Sequence, residues 1–204
     1  AIQAINDNFT KYTANAGTPD LIAAIIAKFK NDNNLEYGSA EILVSSGAKQ
    51  SIYNVLMAIC NPGDEVIYQS PYWVSYPEMV KLVQGKSVVI DAGPESGYKI
   101  TPAQLKAAIT PKSKVFIFNS PSNPSGAAYT PEEIQALCAV LAETDIITIS
   151  DEIYEKITFD GGQHYSPAQY PGLRDKTVVI NGLSKAYSMT GWRVGYAAGP
   201  KYII

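Results

Sequence analysis

The chain is short of charge, of sulfur, of histidine and of arginine. Charged residues make up 17% of its 204 residues, against roughly 25% in an average soluble domain. The net charge is −3 and no basic run breaks the pattern, which argues against a nucleic acid or an anionic lipid as the main partner. Cys60 and Cys138 lie far apart, each within an apolar helical pattern; that placement favours reduced core packing over a disulfide or a metal site. His164 is the only histidine, in Gly161-Gly162-Gln163-His164-Tyr165, a predicted loop, and no role is assigned to it. Nothing has the pattern of a signal peptide or of a spanning segment of about 20 apolar residues, so the expectation is a cytoplasmic protein without a membrane partner.

Apolar residues account for 46% of the chain, enough to bury a substantial core, and the length fits one large domain. Tyrosine is abundant, at 14 residues, and the low charge leaves surface for a partner to cover. Thr18-Pro19-Asp20 reads as a helix start, followed by Leu21, Ile22, Ile25, Ile26 and Phe29 on one face. Short apolar runs then alternate with helical patterns: 42–44, 66–68, 88–90, 115–118, 146–149 and 178–180 predict strands. Helix starts are predicted at Thr101-Pro102 and at Thr130-Pro131-Glu132-Glu133, a capping box. Strands apolar on both faces and separated by helices imply a mostly parallel sheet covered on each side, a three-layer α/β/α sandwich.

Ligands in such sheets bind beyond the carboxyl ends of the strands, and the polar residues collect there. Gly47-Ala48-Lys49 follows Val44, Asn123 follows Phe118, Asp151 follows Ile149 and Lys185 follows Ile180. Lys185, in a loop of small residues after an apolar strand, is a candidate for Schiff-base formation, with Arg193 among Gly191 and Gly195 as an anion clamp and Asp151 as a buried carboxylate. An amine, an anion clamp and a carboxylate together describe a pyridoxal-phosphate site. Each residue alone has a plainer reading: a surface lysine, or an aspartate capping a turn.

Ser184-Lys185-Ala186-Tyr187-Ser188-Met189-Thr190-Gly191-Trp192-Arg193-Val194-Gly195 resembles the cofactor-lysine segment of class I aminotransferases, the fold-type-I family that includes bacterial aspartate aminotransferases. Similar segments run through the chain in the family's order: KYTANAGTPDL, SSGAKQ, NPGDEVIYQSPYWVSYPEM, NSPSNPSGAAY and SDEIYE. The resemblance implies pyridoxal 5'-phosphate as cofactor and an amino acid and a 2-oxo acid as substrates. It implies catalytic roles for Lys185, for Asp151 at the pyridine nitrogen, and for Tyr154 as a donor to the phenolic oxygen, with Asn123 donating to the same oxygen. Gly47, Ala48 and Lys49 would form the phosphate turn with Arg193, Trp73 would stack on the ring, and Tyr12 would reach the phosphate of a neighbouring subunit in a two-fold dimer. Trp73, Asn123 and Lys49 are also the expected substrate contacts, Lys49 meeting the distal carboxylate of aspartate or glutamate.

Only Arg174 and Arg193 are arginines, whereas the family holds its substrate's α-carboxylate with an arginine of a C-terminal small domain. The expectation is therefore that residues 1–204 are the cofactor-binding large domain of an enzyme about twice as long, lacking the N-terminal arm and the small domain, and inactive or nearly so by itself. A ping-pong transamination is expected of the parent. A β-lyase or cyclopropane-forming reaction on the same scaffold and a non-catalytic relic of the fold stay open.

Overall fold

The computed structural model describes residues 1–159 and 161–204. In chain order the helices are α1 (Ile2–Asn6), α2 (Pro19–Asn33), α3 (Ala48–Ile59), α4 (Ser75–Leu82), α5 (Pro102–Ala108) and α6 (Pro131–Ala142). The strands are β1 (Ile42–Ser45), β2 (Glu65–Ser70), β3 (Lys86–Asp91), β4 (Ser113–Asn119), β5 (Ile147–Asp151), β6 (Thr177–Gly182) and β7 (Gly195–Ala198). The helix starts follow the capping signals. Thr18 accepts from the Leu21 amide, and Thr130 and Glu133 each accept from the other's backbone N–H, as do Thr101 and Gln104, satisfying amides the first turn leaves free.

One seven-stranded sheet runs β1-β7-β6-β5-β4-β2-β3. The strands β3, β2, β4, β5 and β6 are mutually parallel, while β7 is antiparallel to both β1 and β6. Alternate side chains along each strand go to opposite faces, and the core divides accordingly. Val66, Tyr68, Val115, Ile117, Val178 and Ile180 pack with α3 and α4 on one face. Ile67, Phe116 and Phe118 meet α5 and α6 on the other, and Ile42, Val179 and Tyr196 meet α2 farther along that same side. The protein is thus an α/β fold of three layers, mostly but not wholly parallel.

β7 and α1 were not among the elements read from the sequence. β7 is four residues of glycine, tyrosine and alanine, without the β-branched run that marks a strand, and α1 buries no residue. Both cysteines are free and packed against different clusters, in keeping with the core role expected of them. Among the described residues no helix is long and apolar enough to cross a membrane.

Phe29 is the hinge pin of the α2 layer: 0% exposed, it meets Tyr37 and Tyr196 edge-on at 5.0 and 5.8 Å between ring centroids. Phe29→Ala should destabilise the chain by about 3–5 kcal/mol, read as a lower urea midpoint with an unchanged slope.

Candidate active site

The carboxyl ends of β2, β4, β5 and β6 open on a cavity of about 200 Å³ whose wall includes Ala48, Lys49, Trp73, Asn123, Asp151, Tyr154, Lys185 and Arg193. Eight residues expected from the sequence are therefore brought together by the fold. Asp151, the last residue of β5, forms the floor and is 4% exposed. Its Oδ2 accepts from the Tyr76 hydroxyl at 2.7 Å and its Oδ1 from the Ile153 amide at 3.4 Å. Among the described residues no lysine, arginine or histidine forms an ion pair with it. Burial pushes the Asp151 carboxyl up to about 6, although both hydrogen bonds favour its charged form, and the Glu152 charge adds to the rise. Burial and the Asp151 charge together push the Tyr76 hydroxyl well above its ordinary range.

A chain of side-chain amides leads from this floor to the rim. Asn119 ends β4 in register with Asp151; its Nδ2 donates to the Asp151 carbonyl at 2.8 Å and its Oδ1 accepts from the Asn123 amide at 2.8 Å. Asn123 Nδ2 in turn donates to the Tyr154 hydroxyl at 3.3 Å. Because that hydroxyl oxygen is already an acceptor, its own proton is free to point into the cavity. Lys185 Nζ stands 5.7 Å from the centre of the Tyr154 ring, exposed to the opening.

The opposite corner sets a helix start beside a guanidinium. Helix α3 begins at Ala48, so its free amides and the positive end of its dipole face the cavity. Arg193 lies across this turn, donating to the carbonyls of Thr190 at 2.9 Å and Ser46 at 3.4 Å. Two glycines make the approach feasible. A Cβ at Gly47, whose φ is +90°, would stand 2.2 Å from the Arg193 guanidinium, and one at Gly195 would stand 2.3 Å from the Ala48 nitrogen. Gly47 thus shapes the corner from behind. Lys49 Nζ lies 4.9 Å from the Trp73 ring, and Trp73 meets Tyr76 edge-on at 5.6 Å.

Tyr12 is not in the cavity; it is fully exposed on the surface of the single chain. Tyr76, Asn119, Ile153 and Thr190 line the cavity without having been singled out. Asn119 could have been found by the strand-end rule that found Asp151. Tyr76 carried no such signal, because only the docking of α4 on the sheet aims its hydroxyl at Asp151.

The sequence profile described as aminotransferase class I and II matches residues 1–204. The chain belongs to that aminotransferase family. An aspartate/prephenate aminotransferase of Cereibacter sphaeroides is 55% identical over 206 residues, spanning 100% of this chain and 52% of that protein. The crystal structure of an aspartate aminotransferase from Rhizobium meliloti superposes with a TM-score of 0.97 at 47% identity, over 99% of this chain and 51% of that one. An aspartate aminotransferase of Thermus thermophilus with maleate gives 0.95 at 44%, over 99% and 52%. The chain spans about half the length of the curated relatives it matches.

The raised carboxyl of Asp151 has a consequence for the ligand-free aminotransferase chain. A carboxyl whose folded value lies above its unfolded one stabilises the fold fully below the unfolded value, and that contribution is lost as pH rises through the folded value. Asp151→Asn removes the titrating group. The unfolding free energy of the parent relative to this variant should therefore fall by on the order of 2–3 kcal/mol between about pH 4 and pH 6, measured by urea titration at each pH; a constant difference would contradict the assignment.

Proposed function

We propose that residues 1–204 are the cofactor-binding domain of a pyridoxal-phosphate aminotransferase acting on an acidic amino acid and a 2-oxo acid. The observation that carries this reading is Asp151: a buried carboxylate lacking an ion-pair partner among the described residues, in a cavity that also holds an amine and an anion corner. Such a carboxylate calls for a cation, and a protonated pyridine nitrogen is one. The phosphate of the same molecule suits the α3 start with Arg193. The donor set therefore fits the group.

Pyridoxal phosphate, when bound, supplies an aldehyde that condenses with amines and a ring that accepts the electron pair released at the substrate's α-carbon. Lys185 Nζ would be the amine that anchors the aldehyde and the base that takes the substrate's α-proton and returns it. Asp151 would keep the ring nitrogen protonated. Asn123 and Tyr154 would donate to the phenolic oxygen, Tyr154 with the proton left free by its bond from Asn123. Trp73 would cover the ring face, and Gly47, Ala48, Lys49 and Arg193 would enclose the phosphate.

The side chain of Lys49, beside Trp73 at the cavity wall, would meet a distal carboxylate, and the Thermus relative solved with maleate is consistent with a dicarboxylate substrate. Trp73 and Asn123 would complete that contact. One amino acid would leave its amino group and depart as a 2-oxo acid before a second 2-oxo acid collects it. The exposure of Tyr12, together with exposed Ile2, Ile5 and Phe9, supports a homodimer in which Tyr12 reaches the partner's phosphate corner.

Incubation with pyridoxal phosphate, reduction with borohydride and peptide mapping should place one added cofactor mass on Lys185 and none in Lys185→Ala. Arg193→Ala should weaken retention of pyridoxal phosphate about 10- to 100-fold while leaving the phosphate-free pyridoxal unaffected. Labelling of other lysines only, or none, would sink the proposal. Release of ammonia from the amino acid, in place of amino transfer, would move the reading to a lyase.

A further inference from the structure

The turn that presents Asp151 and Tyr154 to the cavity is gripped from the other face of the sheet. Neighbouring residues at the end of a strand point to opposite sides, and where Asp151 faces Tyr76 and α4, Glu152 faces the layer of α2. Glu152 is 1% exposed. Its Oε1 accepts from the Ser150 hydroxyl at 2.8 Å and the Ser166 hydroxyl at 2.6 Å, and its Oε2 from His164 Nε2 at 2.8 Å. Three residues on, Glu155 pairs with Lys28 of α2 and accepts from Asn33 Nδ2 at 3.3 Å. Beyond these charges, Asp151 on the opposite face, Tyr37 and Tyr196 also feel the Glu152 charge; the Tyr37 hydroxyl is buried with no hydrogen-bond partner among the described residues.

The ligand atoms of Glu152, Glu155 and His164 lie within 4.8 Å of one another, a spacing a metal ion would accept. Lys28 already supplies the cation for Glu155, and two hydroxyls occupy Glu152 Oε1, so the charges are balanced without one. Burial alone would raise the Glu152 carboxyl, yet the His164 charge and the hydrogen bonds hold it below its ordinary range. Burial alone would lower His164, yet Glu152 holds it above. The pair is therefore charged in the fold. Its loss would leave a buried carboxylate without a counter-charge, a costly state.

We propose that Glu152 and His164 are positioning residues for the candidate site: their ion pair clamps residues 151–155 to the segment 161–166 and so fixes the direction in which Asp151 and Tyr154 face the cavity. Its consequence for cofactor binding rests on the function proposed above; the clamp itself does not. A single strut from behind holds two residues whose side chains must meet different parts of one ligand, at the only histidine in the chain.

The test uses the whole chain, with His164→Leu, which removes the bond, and His164→Gln, which keeps a donor without the charge. In the ligand-free protein, hydrogen exchange of the Glu152, Ile153 and Glu155 amides, bonded to Ile180, Asp151 and Glu152, should speed up about tenfold in His164→Leu. Amides between β2 and β3 should keep their rates, and His164→Gln should restore part of the protection. With pyridoxal phosphate bound, the pH midpoint of its visible absorbance should shift by roughly half a unit or more in His164→Leu. Exchange that accelerates evenly across the chain, or an absorbance midpoint that stays in place while the turn loosens, would overturn the proposal. If the parent chain binds no pyridoxal phosphate at Lys185, the proposed function falls and the local exchange pattern alone decides on the clamp. If His164→Leu does not fold, the parent and His164→Gln are compared across pH. Asp151 titrates in both proteins, so the difference between them is the readout: protection of the turn should decline in the parent, relative to His164→Gln, as His164 loses its proton; equal profiles would overturn the proposal.

Discussion

The antiparallel strand β7, wedged between β1 and β6, is the constraint on which the site depends. Its pairing sets Gly195 opposite Ser45 on one side and Gly182 on the other. That register brings the segment 185–194 back over the sheet's carboxyl edge and lays Arg193 across the start of α3, some 145 residues away in sequence. Without it Lys185 and Arg193 would follow β6 into solvent, and the anion corner would be a bare helix start. The absence of side chains at Gly47 and Gly195 is the steric condition for this closure, since a Cβ at either would meet a guanidinium or a backbone nitrogen within 2.3 Å.

The second constraint is electrostatic, and it is arranged around β5. This strand is buried throughout and ends in Asp151, with Glu152 directly after it; two adjacent carboxylates in a low-dielectric interior would repel and resist ionisation. The alternation of side chains separates them. Glu152 receives a histidine and two hydroxyls on one face; Asp151 receives a tyrosine hydroxyl on the other and has no ion-pair partner among the described residues. The same strand end is thus satisfied on the structural side and left wanting a positive charge on the cavity side, which is the condition a cationic heterocycle would meet.

Much of this was legible along the chain. The capped helices at Thr18, Thr101 and Thr130, and the six apolar strands, announce themselves through local rules: a hydroxyl that reaches an amide three residues on, and side chains that alternate faces. The strand-end rule placed Lys49, Asn123, Asp151 and Lys185 at one edge. β7 escaped, because four small or aromatic residues have no periodicity of their own and are extended only through two neighbours. Tyr76 and Asn119 escaped as site residues, and His164 was assigned no role, because each acquires its meaning from a partner 75, 32 or 12 residues away, respectively.

The amino-acid sequence by itself determined the layers, the family and the chemical inventory: an amine, a carboxylate and a guanidinium, each at the end or return of a strand. Those follow from short-range physics, since capping and alternation act over three or four residues. Only the tertiary structure decided which face each of two neighbouring carboxylates sees, which hydroxyl meets Asp151, and that Arg193 closes on Gly47. Hydrogen bonding, burial and charge pairing depend on distance in space, and for these residues that distance is set by the order and direction of strands in the sheet.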